Sequence, residues 1–251
     1  MLQKSKLKLI KGLSLKKNRD EMGLFVAEGT KLITDLNLTH PCSFLLATEV
    51  WLQSHPHVDS SEIIVINENE LKQISNQRSP QGAVAVFKKI NWVLNYEELN
   101  TNLTLVLDEV QDPGNLGTII RIADWFGISN IVCSQNSADA YNPKTIQATM
   151  GAIARVKIHY QDLCEFLNKC KHLPIYGTFM DGDNVYKQSL TSNGLIVMGN
   201  EGNGISKKLE NLIPNKLLIP SFPEMSNTSE SLNVGVATAL ICGEFRRRIV
   251  S

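Results

Sequence analysis

The sequence predicts an α/β protein in two parts, a small N-terminal α/β unit and a larger C-terminal unit with a mostly parallel sheet. The chain has 251 residues, enough for one large domain or two small ones. Its hydrophobic fraction of 43% is that of a globular protein with a core. From residue 103 onward, short apolar runs alternate with helical patterns, which is typical of a parallel sheet with helices on both faces.

The N-terminal part begins with a predicted helix, because Leu7, Ile10 and Leu13 recur at helical spacing. Short apolar runs predict strands, and helix-like stretches follow the first and the third of these strands. The predicted strands are 25–27, 43–47, 62–66 and 82–87, and the predicted helices are 29–36 and 68–74. Residues 89–102 show little periodicity, apart from a single helical turn. We therefore expect domains at 1–88 and 103–251, joined by a linker at 89–102.

The C-terminal elements begin with 103–107, a continuously apolar run that predicts a buried strand. The turn residues Asp112-Pro113-Gly114-Asn115 then predict the start of a helix that ends at Gly127. Further strands are expected at 130–134, 175–179, 195–198 and 216–219. Further helices are expected from Pro143 towards Ala154, with proline in the first turn, and from Glu230 to about Ile249.

Charge is unevenly distributed along the chain. The formal net charge is zero, which excludes a protein coated in one sign of charge. Residues 1–20, however, contain seven basic residues and one acidic residue, a net charge of +6. A basic segment on a neutral body suits a polyanion such as nucleic acid, and a solvated helix face explains the charge equally well. The cluster 246–248 near the C-terminus is also explained by the dipole of the last helix.

Several protein classes are excluded by composition. The longest apolar run, 234–243, is too short to span a bilayer. Lysines at 11, 16 and 17 interrupt the apolar segment that a secretory signal needs. The five cysteines are odd in number and form no Cys-x-x-Cys pair, which fits neither a disulfide scaffold nor a zinc site. We therefore expect a cytoplasmic protein without a metal.

Three polar loops follow predicted strands, at 108–115, 199–204 and 220–233. In parallel sheets, ligands bind beyond the carboxyl ends of strands. The glycine-rich loop 199–204 lacks the dinucleotide order G-x-G-x-x-G, and Ile205 stands where a P-loop needs lysine. The motifs of serine and zinc hydrolases are also missing. A tight structural turn would explain the glycines, but not the carboxylate of Glu201 among them.

The combination of these loops is more specific than any one residue. It resembles the SpoU/TrmH family of RNA ribose 2′-O-methyltransferases, within the SPOUT superfamily. The matching motifs are 108–121, 195–204, and 218–220 followed by 231–237. The N-terminal part resembles the family's substrate-binding domain, an α/β unit like some ribosomal proteins, at 17–19, 25–29 and 80–82. The loop 221–229 is longer than the usual bend of the family.

The resemblance implies a trefoil-knotted C-terminal domain, a homodimer with the active site near its interface, S-adenosylmethionine as cofactor, and RNA as substrate, ribosomal in preference to transfer RNA. The implied cofactor contacts are Thr178, Gly199, Ile219 and Leu232. The implied catalytic and substrate-orienting residues are Asn115, Arg121, Glu201, Ser231 and Asn233. Because arginine stays protonated in proteins, we expect Arg121 to face the cleft and clamp a substrate phosphate, while that phosphate or Glu201 receives the proton.

Two alternatives remain open from the sequence. One is a non-catalytic RNA-binding or ribosome-assembly protein that keeps the fold, and the intact set of five polar residues argues against it. The other is methylation of a base. By resemblance, the Ser231-Leu232-Asn233 motif favours methylation of the ribose instead. The nucleotide that is modified is not indicated by any residue pattern.

Overall fold

The computed structural model describes residues 2–223 and 231–250, and it divides into two compact units. Unit 1 comprises Met1–Asn91 together with Asp139–Ala154, and unit 2 comprises Trp92–Ala138 together with Arg155–Ser251. Most of the long loop expected at 221–229 lies outside the described residues. The last helix, expected from Glu230, begins at Val234, since residues 231–233 are described and are not helical.

Unit 1 is built on a four-stranded sheet of order β1-β4-β2-β3, in which β3 runs parallel to β2 and the other pairs are antiparallel. Its elements, in chain order, are α1 (Lys4–Gly12), α2 (Lys16–Met22), β1 (Leu24–Glu28), α3 (Thr30–Asn37), β2 (Phe44–Ala47), α4 (Glu49–Ser54), β3 (Ile63–Val65), α5 (Glu68–Ile74) and β4 (Ala83–Lys88). All four predicted strands are confirmed, and so are both predicted helices. The basic start is two helices rather than one.

The first helix separates charge from apolar surface. Ile10 is buried, and Leu13 just beyond the helix is buried with it, in a core that also contains residues of α5. Lys4, Lys8 and Lys11 are exposed. Positions four and three apart lie on one face of a helix, so these three lysines form a basic stripe opposite the core.

A buried arginine ties α2 to the second segment of unit 1. Arg19 is only 1% exposed, and its guanidinium donates to the carboxylate of Asp139 at 2.6 Å and to the carbonyl oxygens of Leu13 and Ser14 at 2.8 and 2.7 Å. The sequence-based count of +6 therefore overstates the charge that reaches the surface. Lys16 and Lys17 are also partly neutralised, by Asp20 and Glu21.

We expect Arg19→Met to lower the free energy of unfolding by about 3 kcal/mol, because it strands the Asp139 carboxylate and two carbonyl oxygens away from water. Lys16→Met is the matched control, since it removes an exposed pair with Asp20 worth under about 1 kcal/mol. Urea unfolding of both variants, followed by circular dichroism, measures the difference. Equal effects of the two substitutions would contradict a structural role for the buried pair.

Unit 2 contains a six-stranded sheet of order β10-β8-β9-β5-β6-β7, in which every paired strand is parallel. Its elements, with α8 of unit 1 in its place in the chain, are α6 (Tyr96–Leu99), β5 (Leu103–Leu107), α7 (Pro113–Trp125), β6 (Asn130–Ser134), α8 (Pro143–Thr149), β7 (Lys157–Gln161), α9 (Leu163–Lys169), β8 (Ile175–Asn184), β9 (Gly194–Met198), α10 (Lys207–Glu210), β10 (Asn215–Leu218) and α11 (Val234–Val250). The parallel sheet predicted from the alternating pattern is confirmed.

Two of the predictions for this region were wrong or incomplete. The helix from Pro143 stops at Thr149, because Met150 and Gly151 have φ angles of 51° and 94°, and only a 3-10 turn reaches Ala154. Strand β7 was missed, since it is half-buried along most of its length and carries polar residues. An edge strand of this kind lacks the continuous apolar run by which buried strands are recognised.

Candidate active site

A chain of side-chain hydrogen bonds joins the three polar loops of unit 2. The amide nitrogen Nδ2 of Asn233 donates to Oδ1 of Asn115 at 3.0 Å, and Nδ2 of Asn115 donates to Oε1 of Glu201 at 2.9 Å. An ionised carboxylate only accepts hydrogen bonds. The carboxylate at one end therefore fixes which way the Asn115 amide points, and that orientation in turn fixes the Asn233 amide.

Helix starts hold the two asparagines in place. The carboxylate of Asp112 caps α7 by accepting from the backbone N–H of Asn115 at 2.9 Å. Oδ1 of Asn233 accepts from the backbone N–H of Gly235 at 2.9 Å at the start of α11. Because a cap satisfies backbone donors that the helix leaves unpaired, the first cap fixes the backbone at Asn115, and the second fixes the side chain of Asn233.

The side chain of Asn200 stabilises the glycine-rich loop by hydrogen bonds to its backbone, and this residue was not predicted from the sequence. Its Oδ1 accepts from the N–H groups of Gly202 and Asn203 at 2.9 and 3.0 Å, and its Nδ2 donates to the carbonyl of Glu109 at 2.8 Å. Asparagine commonly bonds backbone two residues onward in turns, which is the sequence feature that could have identified it.

A cavity of about 530 Å³ lies against this loop, within the size range of small-molecule sites. Its lining combines apolar side chains of β8, β9 and β10 with the backbone of the glycine loop. The lining includes all four predicted cofactor contacts and two of the predicted catalytic residues: Thr178, Gly199, Ile219, Leu232, Glu201 and Ser231. Asn115 is joined to this lining by its bond to Glu201, and Asn233 by its bond to Asn115.

Arg121 lies apart from this cavity. Its side chain is exposed on α7, and it does not line the pocket. Thr118 and Trp125, three residues before and four after, are also exposed, so the three share one face of the helix. Within residues 2–223 and 231–250 the guanidinium has no ion-pair partner. The structure thus brings together eight of the nine predicted site residues and leaves Arg121 on an open helix face.

Other kinds of site are not found in the described part of the chain. No group of three or more His, Cys, Asp or Glu side chains there is arranged to hold a metal ion, and no helix there is long and apolar enough to cross a membrane. Burial raises the pKa of Cys133 to about 12 and that of Cys242 to about 12. Neither thiol is therefore ionised at neutral pH, as a cysteine nucleophile would need to be.

Two models of known protein families match this chain. The model of the SpoU rRNA Methylase family matches residues 102–243, more than half of the chain. The chain belongs to the SpoU rRNA methylase family. A second model, the MRM3-like substrate binding domain, matches residues 4–85. Family membership was expected from three motifs alone, and it is confirmed.

Individual relatives align along nearly the whole chain. The 23S rRNA (guanosine(2553)-2′-O)-methyltransferase RlmP of Bacillus subtilis is 28% identical over 250 residues, covering 96% of each chain. A solved structure of the TrmH family from Porphyromonas gingivalis has a TM-score of 0.89 at 36% identity, covering 99% of each chain. An AdoMet-bound rRNA methyltransferase from Sinorhizobium meliloti has a TM-score of 0.84 at 28% identity, covering 100% of this chain and 97% of that one.

These likenesses also settle the fold class of unit 2. Members of the SpoU/TrmH family have the trefoil-knot fold, and unit 2 shares it. Threaded connections are rare among proteins, and no local periodicity encodes them. The knot was therefore an expectation from resemblance, and the comparison with solved relatives confirms it.

Proposed function

We propose that this chain transfers a methyl group from S-adenosylmethionine to a ribose 2′-hydroxyl of ribosomal RNA, in the cytoplasm. One observation carries the proposal: the bonded series Asn233–Asn115–Glu201 stands at the rim of the pocket. A non-catalytic RNA-binding protein has no use for a carboxylate held by oriented amides beside a small-molecule cavity. The Bacillus subtilis relative is an rRNA 2′-O-methyltransferase by name, and the Sinorhizobium meliloti relative is an rRNA methyltransferase with bound AdoMet, which supports the same activity.

The pocket fits the cofactor in its chemistry. A Cβ built on Gly199 would lie 2.2 Å from the carbonyl carbon of Gly204, so the loop closes on its own backbone at Gly199 and leaves no room for a side chain there. Backbone N–H and C=O groups of such a loop can form hydrogen bonds to the adenine and ribose of the cofactor. The apolar side chains at the strand ends can pack against the adenine ring. We propose Thr178, Gly199, Ile219 and Leu232 as its contacts. When bound, S-adenosylmethionine supplies an electrophilic methyl group on a positively charged sulfur.

The proton of the ribose hydroxyl needs an acceptor, and we propose Oε2 of Glu201. Oε1 of that carboxylate is occupied by Asn115, whereas among the described residues Oε2 is approached by Nδ2 of Asn200 at 3.5 Å, beyond good hydrogen-bond distance. Oε2 is thus open to a substrate hydroxyl. Asn115, Asn233 and Ser231 then orient the ribose, which is the positioning that a two-reactant transfer requires.

Arg121 completes the site in a homodimer. We propose that a second copy packs on the face of α7 and α11, which brings Arg121 to an active site at the interface, where it clamps an RNA phosphate bidentately. This face carries Trp125, which is 84% exposed, and also Val236 and Leu240. Large exposed apolar side chains on two helices in contact, α7 and α11, are typical of interaction sites.

Trp125→Asp is expected to dissociate the dimer and to lower methyl transfer in parallel, because it places a charge in the centre of the apolar face. Light scattering measures the mass, and a methylation assay at the same protein concentration measures the activity. Leu38→Asp, a similarly exposed residue of unit 1, is the control and should change neither. A Trp125→Asp variant that stays dimeric would contradict this interface.

We propose that unit 1 supplies affinity for RNA through the basic stripe of α1. Lys4, Lys8 and Lys11 are exposed and have no acidic partner among the described residues, unlike Lys16 and Lys17. Free cations in a row bind the phosphates of a nucleic acid and release its counterions.

Replacing all three stripe lysines by glutamine should lower the slope of log affinity against log salt by about two, since each phosphate contact on a single strand contributes about 0.7. The matched control changes three exposed lysines of unit 2, Lys169, Lys171 and Lys187, to glutamine. Filter binding to ribosomal RNA across a salt series gives both slopes. An unchanged slope in the stripe variant would mean that the stripe is only a solvated face.

The activity itself is tested with purified chain, tritiated S-adenosylmethionine, and size-separated ribosomal and transfer RNA. We expect label in ribosomal RNA, with the same rate in the presence of a chelator. Label in neither RNA, under conditions in which the cofactor binds, would overturn the proposed activity. Label confined to transfer RNA would overturn the choice of substrate.

A further inference from the structure

A buried carboxylate in unit 1 organises one loop, and no described residue supplies a cation to neutralise it. Glu28, at the end of β1, is 7% exposed. It accepts from Oγ of Ser75 at 2.5 Å, from the backbone N–H of Asn76 at 3.0 Å and from Nδ2 of Asn76 at 2.9 Å. Burying a charge is costly unless it is well hydrogen-bonded. Removing these donors would strand the charge, so the carboxylate holds the loop firmly.

The same loop is fastened at two more points. Nε2 of Gln77 donates to the carbonyl oxygen of Glu28 at 3.2 Å and to Oε1 of Gln147, in the second segment of unit 1, at 3.0 Å. At the far end, Gly82 has a φ of +80°, and a Cβ there would lie 2.9 Å from the Trp51 ring. The loop 75–82, which we call the clamped loop, is therefore held at residues 75–77 by Glu28 and Gln147 and at its far end by the close fit of Gly82 to Trp51.

The outward side chains of the clamped loop are those that recognise bases. Arg78, Ser79 and Gln81 are exposed, while the Asn76 side chain is bound to Glu28. Arg78 has no ion-pair or hydrogen-bond partner among the described residues. The loop contains no lysine. Arginine, asparagine and glutamine form bidentate hydrogen bonds to base edges, and proteins read RNA sequence mainly at unpaired bases.

We propose that the clamped loop reads unpaired bases of the substrate RNA, with Arg78 as the main contact, and that Glu28 is a positioning residue that keeps the loop in its reading conformation. A rigid loop loses little conformational entropy on binding, which is the advantage of the internal clamp. Affinity and selectivity then come from different surfaces of unit 1: the basic stripe of α1 attracts any RNA, and the clamped loop discriminates. The inference rests on the proposed function only in taking RNA as the polymer bound.

The test compares binding to two RNAs at equal salt. One is the short ribosomal RNA fragment that the wild-type chain binds most tightly in a screen, and the other is the same fragment with its sequence shuffled. Arg78→Ala should reduce the ratio of the two affinities by about tenfold, as expected for loss of one bidentate contact. Arg78→Lys keeps the charge but not the planar fork, so it should be impaired to a similar degree. Lys4→Ala should weaken binding to both RNAs equally and leave the ratio unchanged.

Glu28→Gln tests the clamp, because an amide offers one acceptor oxygen where the carboxylate offers two. We expect faster hydrogen exchange at the amide of Asn76 and a lower affinity ratio, with cofactor binding unchanged. Glu49→Gln, at an exposed carboxylate on α4, should alter none of these. A role of Glu28 in stability alone would lower the melting temperature and leave the ratio intact, which would overturn the positioning role.

Two results would overturn the proposal as a whole: a wild-type chain that binds shuffled and native fragments equally, or an Arg78→Ala variant with an unchanged ratio. Because these are binding measurements, they are independent of methyl transfer. A chain that fails to methylate RNA but loses selectivity in Arg78→Ala would contradict the proposed function and support the clamped loop.

Discussion

Arg121→Ala is expected to lower the single-turnover rate of methyl transfer by at least about a hundredfold, the cost of removing one strong electrostatic contact at a reacting centre, while cofactor binding stays normal. Arg121→Lys should also be badly impaired, because a lysine keeps the charge and loses the fork that grips a phosphate. Saturating cofactor and RNA isolate the chemical step. Arg155→Ala, which removes a surface arginine paired with Asp124, is the control and should turn over normally.

The opposite outcome is equally clear. If Arg121 were only a solvent-exposed residue, both substitutions would change stability by less than about 1 kcal/mol and leave turnover intact. Near-normal turnover of Arg121→Ala would remove the phosphate clamp from the mechanism. It would also remove one reason for placing the active site at a dimer interface.

Gly199→Ala is expected to weaken S-adenosylmethionine binding by roughly a hundredfold, the upper range for overpacking a fitted site. The added Cβ would lie 2.2 and 2.3 Å from backbone atoms of Gly204 and Ile205, so the glycine-rich loop has to move. Gly202→Ala is the matched control in the same loop, since its Cβ would meet only Oδ1 of Asn200, at 3.6 Å. Calorimetric titration compares the two, with melting curves to verify folding. Equal affinities of the two variants would mean that cofactor binding does not depend on the shape of the glycine-rich loop at Gly199.

Much of the fold could be predicted because its determinants are local. The strands at 103–107 and 130–134 contain short apolar runs, and both are observed with the predicted bounds. The helix of α5 was also predicted with its correct bounds, 68–74. Strand β7 was missed because half-burial at a sheet edge leaves a weak pattern. Helix α9 was missed although Leu163, Phe166 and Leu167 are buried at helical spacing, so this pattern could have been recognised.

The sequence predicted which residues form the candidate site, but not the hydrogen bonds between them. The rule that ligands bind at the carboxyl ends of parallel strands gathers 108–115, 199–204 and 220–233 at one edge of the sheet. It does not predict that Asn115 bridges Glu201 and Asn233, since such bonds depend on side-chain rotamers and helix caps. Likewise, the direction of Arg121 and the burial of Arg19 against Asp139 depend on contacts between residues far apart in sequence.

The central claim is that the Asn233–Asn115–Glu201 series serves transfer to a ribose oxygen. The most direct test is mass spectrometry of nucleosides from ribosomal RNA that the chain has methylated, comparing the wild type with Asn115→Ala. We expect a single 2′-O-methylnucleoside from the wild-type reaction and its loss with the variant, whose cofactor affinity is unchanged. A methyl group on a base, or a 2′-O-methylnucleoside that persists in Asn115→Ala, would contradict the account.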